Sequence, residues 1–80
     1  MKFTKEDLIN KIEKTYLERH NKNFNIIYYY FSANSKIKYL EIEYLDELSC
    51  EGRIKIIGRS IGYYKFEVSQ VLIDNFQTYN

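Results

Sequence analysis

Phe24-Asn25-Ile26-Ile27-Tyr28-Tyr29-Tyr30-Phe31-Ser32 is the most strongly patterned segment of the chain, and the architecture turns on how it is read. Ile, Tyr and Phe favour strands because branched and aromatic side chains pack well on a pleated surface. Strand side chains alternate between two faces. Phe24, Ile26, Tyr28 and Tyr30 therefore share one face, and Asn25, Ile27, Tyr29 and Phe31 share the other. A strand with one wet face alternates apolar with polar residues, whereas this one is apolar on both. The expectation is a central strand covered on both sides, and function becomes the question of what covers the second face.

Upstream, Thr4 to His20 reads as an amphipathic helix. Leu8, Ile9, Ile12, Tyr16 and Leu17 form an apolar stripe, and Lys5, Lys11, Lys14 and Glu18 form the wet side. Thr4 suits the N-cap with Asp7 at N3 in a variant capping box, and Phe3 and Leu8 hold hydrophobic-staple positions. Asn21 and Asn23 would end the helix and turn the chain. Downstream, Ala33-Asn34-Ser35 reads as a polar turn. Lys36 to Leu45 reads as a second strand, either with a bulge near Tyr39-Leu40 that brings Ile37 and Tyr39 onto the face of Leu40, Ile42 and Tyr44, or as another two-faced strand. Asp46 to Gly52 is then a loop. Arg53 to Gly58 is a third strand, Arg59-Ser60-Ile61 a turn, and Gly62 to Val68 a fourth strand with Tyr64, Phe66 and Val68 inward and Lys65 and Glu67 outward. From Ser69, the spacing of Val68, Leu72, Phe76 and Tyr79 suits a short helix, while Val71, Ile73 and Asn75 suit an edge strand.

The whole is one small α+β domain over residues 1–80. Its N-terminal helix packs on a four-stranded, mainly antiparallel sheet, with a short C-terminal helix or edge strand, in the order α-β-β-β-β-α. At this length a chain buries only roughly 60% of its unfolded surface, so stability is marginal. Cys50 is the only cysteine, which excludes an internal disulfide and points to a reducing compartment. No run of 18 or more apolar residues occurs, and the Met1-Lys2-Phe3 start lacks a signal-peptide core, so a cytoplasmic location without membrane association is expected. A net charge of +1 gives no global pull toward nucleic acid. Lys, Asn, Ile, Tyr and Phe, all with AT-rich codons, make up more than half of the chain. That usage suggests a low-GC bacterium, its phage or a plasmid.

Motifs for chemistry do not survive inspection. Gly58-Arg59-Ser60-Ile61-Gly62 matches G-x-S-x-G, but a nucleophile elbow needs a following helix and a later histidine. A strand pattern follows here, so the segment reads as a hairpin turn using two flexible glycines. His20 and Cys50 lack an orienting partner. A lone histidine at a helix end favours the dipole, and a lone cysteine is usually a small buried hydrophobe. One histidine and scattered carboxylates show no metal-ligand spacing. Neither catalytic residues, cofactor nor metal are expected.

Charge patterning says more. Glu41, Glu43, Asp46, Glu47 and Glu51 form an acidic run, and Arg53, Lys55, Arg59 and Lys65 follow with no acid among them. The plain reading is two solvated, cross-paired faces of a hairpin. The functional reading is a bipolar surface whose acidic end imitates a phosphate backbone. Tyr28, Tyr30, Tyr39 or Tyr63 with Lys38, Arg53 and Lys55 could instead stack single-stranded bases. Tyrosine is equally a protein-interface residue. The expectation is thus a non-catalytic protein-interaction module. Its specific form is a small phage- or mobile-element-type inhibitor of a host enzyme or defence nuclease, of which an anti-CRISPR protein is one example. The alternative is a small nucleic-acid-binding protein. The partner-binding residues expected are Tyr28, Tyr30, Glu41, Glu43, Asp46, Glu47, Glu51, Arg53 and Lys55, with a second copy of the chain as a further candidate to cover the free face.

Overall fold

The computed structural model describes residues 2–18 and 25–77. Helix α1 spans Lys5–Glu18 and opens with the expected capping box. The Thr4 amide donates to Asp7 Oδ2 at 2.9 Å, and the Asp7 amide donates to Thr4 Oγ1 at 3.1 Å. Residues 19–24, with His20, Asn21, Asn23 and Phe24, lie outside the described residues. Strand β1 is Ile26–Tyr30.

The next element corrects the sequence reading. Lys36 to Leu45 is not a strand, and Asp46 to Cys50 is not a loop. Ser35–Cys50 is one helix, α2. Its apolar stripe is Ile37, Tyr44, Leu45 and Leu48, a helical spacing in which a charged residue, Glu41, occupies the centre. That buried carboxylate broke the periodicity on which the sequence reading relied. The helix has strong stop and start signals. Asn34 Oδ1 accepts from the amides of Lys36 (3.0 Å) and Ile37 (3.2 Å). At the other end Gly52 adopts φ +75°, its amide donates to Ser49 O, and the Arg53 amide donates to Leu48 O. Those are the two bonds of a Schellman C-cap.

Strands β2 (Ile54–Arg59) and β3 (Tyr63–Val68) form a tight hairpin, closed by the Ser60 amide donating to Tyr63 O at 2.9 Å. The hairpin reading of Gly58–Gly62 thus holds, but its stated reason does not. Among the described residues Gly52 is the one glycine with positive φ. A bulge lies at Ile56–Gly58 in β2, and none occurs at Tyr39-Leu40, which is helical. Helix α3, Gln70–Gln77, ends the described chain and resolves the C-terminal ambiguity in favour of helix. It buries Leu72, Ile73 and Phe76 and exposes Val71.

The order is therefore α-β-α-β-β-α, with three strands, not four, and all neighbours antiparallel. The sheet runs β1-β3-β2, so β3 is central and β1 is an edge, contrary to the reading of β1 as the middle strand. Strands β1 and β2 are parallel to each other with β3 between them, which makes β1-α2-β2 a split β-α-β unit. Placing α2 between them supplies the long connection that parallel strands need. Leu8 and Ile12 of α1, Leu45 and Leu48 of α2, and Leu72 and Phe76 of α3 all pack into one core with Ile27, Tyr29, Ile54, Phe66 and Val68 of the sheet. The helices form one layer on one face of the sheet.

Candidate interaction face

With the helical layer on one side, strand alternation leaves the other side open. The register gives its rows. Ile26, Glu67 and Lys55 lie abreast, then Tyr28, Lys65 and Gly58, then Tyr30 and Tyr63. Tyr28 is 45% and Tyr30 64% exposed, whereas Ile27 and Tyr29, one residue away, are each 2% exposed. The apolar character of β1 on both faces was read correctly, but only the face of Ile27 and Tyr29 is covered.

Three tyrosines form a ring cluster on this face. Tyr63 lies between two of β1, with ring centroids 5.8 Å from Tyr28 and 5.4 Å from Tyr30, both tilted. Lys65 Nζ sits 5.4 Å from the Tyr28 ring centroid, a cation–π contact. Gly58, next to Lys65 in the register, contributes no side chain to that row. The half-exposed bulge residue Ile57 and the exposed Lys55 of β2 carry the surface onward. At the end of the sheet, Ile61 in the β2–β3 turn is 87% exposed. Its carbonyl accepts from Lys38 Nζ at 2.7 Å, which ties the turn to the first turns of α2. Tyr39, offered as a platform residue, lies exposed on α2, which packs on the sheet's other face.

The other expected partner-binding residues do not join this face. Glu41 is 1% exposed on the covered side. One of its oxygens accepts from the Tyr29 hydroxyl and from Lys11 Nζ (3.4 Å), and the other from the Ser32 amide (2.9 Å). Burial first, and then the Glu41 hydrogen bond, push the Tyr29 phenol well above its ordinary range. Lys11 also lies 4.5 Å from the Tyr29 ring centroid. This network joins α1, β1 and α2, and all its partners belong to the chain itself. No sequence signal announced it, because a carboxylate in an apolar stripe looks like a break in the stripe.

The remaining acids sit on α2 and its C-cap, where most are paired. Lys5 Nζ bridges Glu47 at 3.2 Å and Glu51 at 2.6 Å, Arg53 Nε lies 3.4 Å from Glu51, and Arg59 lies 3.4 Å from Asp46. The hydrogen bond that Lys5 Nζ donates to Glu51 holds the Glu51 carboxyl below its usual value and the Lys5 ammonium above its own. Arg59 also covers the Tyr64 ring at 5.0 Å. Glu43 is exposed, with no ion pair among the described residues. Cys50 is exposed, and no metal-holding cluster of His, Cys, Asp or Glu occurs among the described residues. No helix among them is long and apolar enough to cross a membrane.

Compared with known proteins, the chain matches no family model, no curated protein and no solved structure.

Proposed function

We propose that this protein is a non-catalytic binding module that engages a protein partner through the open face of its sheet. The observation that carries this reading is the Tyr28–Tyr63–Tyr30 cluster, three contacting rings on the face that no helix among the described residues covers. Tyrosines of this kind give a partner a large, stiff contact area at low entropic cost, with a hydroxyl for a rim hydrogen bond. The charges on the face nearly balance, with Lys55 opposite Glu67 and Lys65 over Tyr28. A near-neutral aromatic centre with a polar rim is the composition of a protein interface. The specific form proposed, an inhibitor of a host enzyme or defence nuclease, is supported by AT-biased residue usage. Mimicry of a phosphate backbone by the α2 acids is not part of the proposal, because their cations are supplied from within the chain.

One observation favours a second reading. Lys55 and Lys65 beside stacked tyrosines are also what single-stranded nucleic acid uses. The two separate in a capture experiment from host lysate with and without nuclease treatment. For the protein reading, captured bands survive nuclease, persist with Glu43→Gln/Glu47→Gln bait, and vanish with Tyr28→Ser/Tyr30→Ser bait. Loss on nuclease treatment, with affinity for an oligonucleotide that falls steeply with salt, would reverse the order of the two.

A further inference from the structure

The two edges of the sheet differ. The outer edge of β2 carries devices that blunt edge-to-edge pairing: a bulge at Ile56–Gly58, a glycine, and the charged Lys55 and Arg59. The outer edge of β1 carries none of them. Its five residues, Ile-Ile-Tyr-Tyr-Tyr, include no charge, no proline, no glycine and no bulge. Among the described residues no strand pairs with that edge.

Hydrogen bonding shows which groups it offers. The Phe31 amide donates to Gly62 O and the Val68 amide donates to Asn25 O, so the odd-numbered residues of this segment turn their backbone groups toward β3. By alternation Ile26, Tyr28 and Tyr30 turn theirs outward. We infer that β1 pairs antiparallel with β1 of a second copy of this chain, about a two-fold axis at Tyr28. In that register Tyr28 faces Tyr28 and Ile26 faces Tyr30 of the second copy. Every pair then matches outward groups with outward groups, and the covered-side pair is Ile27 with Tyr29. Aromatic and aromatic–branched pairs are favourable across strands, and no like charges meet. The contact is isologous and closes at a dimer, because each copy uses the one unguarded edge found among the described residues. The two sheets become one, and the two open tyrosine faces become continuous. The inference is independent of the partner proposed above, since edge pairing leaves the tyrosine face free.

The test is sedimentation or light scattering from low micromolar to millimolar protein, with melts to confirm folding. The parent is expected to dimerise as concentration rises. Ile26→Pro removes an outward amide and leaves the β3 ladder intact, so it is expected to stay monomeric. Tyr28→Lys and Tyr28→Glu place like charges together at the axis, and each is expected to be monomeric alone. Mixed in equal amounts they are expected to form a heterodimer, which recovery of fold alone cannot produce. A parent monomeric throughout, a dimer that persists in Ile26→Pro, or no association on mixing would overturn the inference. None of these results touches capture of a partner by the open face.

Discussion

At the scale of the residue, the least expected feature is Glu41, a charge in the centre of an apolar stripe. A buried carboxylate persists where its lone pairs are used, and Glu41 uses its own on Tyr29, Ser32 and Lys11. Glu41→Ala leaves three donors without this acceptor; Lys11 can turn to solvent, but the Tyr29 hydroxyl and the Ser32 amide are left unsatisfied, at a cost of about 1–3 kcal/mol each. Tyr29→Phe leaves the carboxylate short of one donor and is expected to cost about 1–3 kcal/mol. Because both changes cut one bond, the double variant should lose less than the sum, which chemical denaturation can measure. Tyr29 also sets an alkaline limit. Its folded value lies above its unfolded value, so the stability it contributes is complete below about pH 10 and is lost as pH rises toward the folded value. Tyr29→Phe should therefore lose less stability than the parent between neutral pH and strong alkali.

The Lys5–Glu51 pair titrates at both ends. Glu51 is depressed in the folded chain, so its contribution is present above the ordinary carboxylate value of about 4.3 and lost as pH falls through the folded value. Lys5 is raised, so its contribution is present below about 10.4 and lost above. The gap in melting temperature between the parent and Glu51→Gln should be widest between those limits and close on the acid side. The pair is solvent-accessible, so the gap should shrink in high salt.

At the scale of the element, α2 is the decisive assignment. Asn34→Ala removes the acceptor of two amides and should cost about 1 kcal/mol. Gly52→Ala forces a Cβ into φ +75° and should cost about 1–2 kcal/mol. If Lys36 to Leu45 were a strand, neither substitution would matter to that degree, so equilibrium unfolding of the two variants distinguishes the readings. Both signals were present in the sequence, Asn34 before the segment and Gly52 after it, with neither proline nor glycine between. They were outweighed by Ile37, Tyr39, Ile42 and Tyr44, strand formers by propensity that tertiary packing placed in a helix. By contrast α1 and the β2–β3 hairpin were legible, because capping and alternation agreed there, while the segment that forms α3 carried helical and strand spacing together. The role of β1 was half legible. Its residues showed that both faces are apolar, but whether a strand is central or at an edge depends on partners far along the chain.

At the scale of the whole molecule, the fold follows from covering one sheet face. Three helices meet on the side of Tyr29 and Phe66, and what remains of the apolar pattern in β1 is displayed outward. Exposed aromatic clusters of this kind mark contact surfaces in proteins. The apolar character of both β1 faces was readable, but which face stays open was not, and neither was the pairing of Glu47, Glu51 and Asp46 with Lys5, Arg53 and Arg59, because both depend on helix placement that the sequence reading lacked. The claim that joins fold to function is that β1 has one covered face and one working face. It is tested most directly by thermal melts of two double variants. Tyr28→Ser/Tyr30→Ser removes exposed rings whose cross-strand contacts are worth roughly 0.2–1 kcal/mol each, so a cooperative melt a few degrees below the parent is expected. Tyr29→Ser/Phe31→Ser removes inward-facing rings, and losing a buried aromatic costs about 3–5 kcal/mol, so no folded baseline is expected. Equal unfolding of both variants would contradict the one-sided sheet, and with it the proposed role of the open tyrosine face in binding.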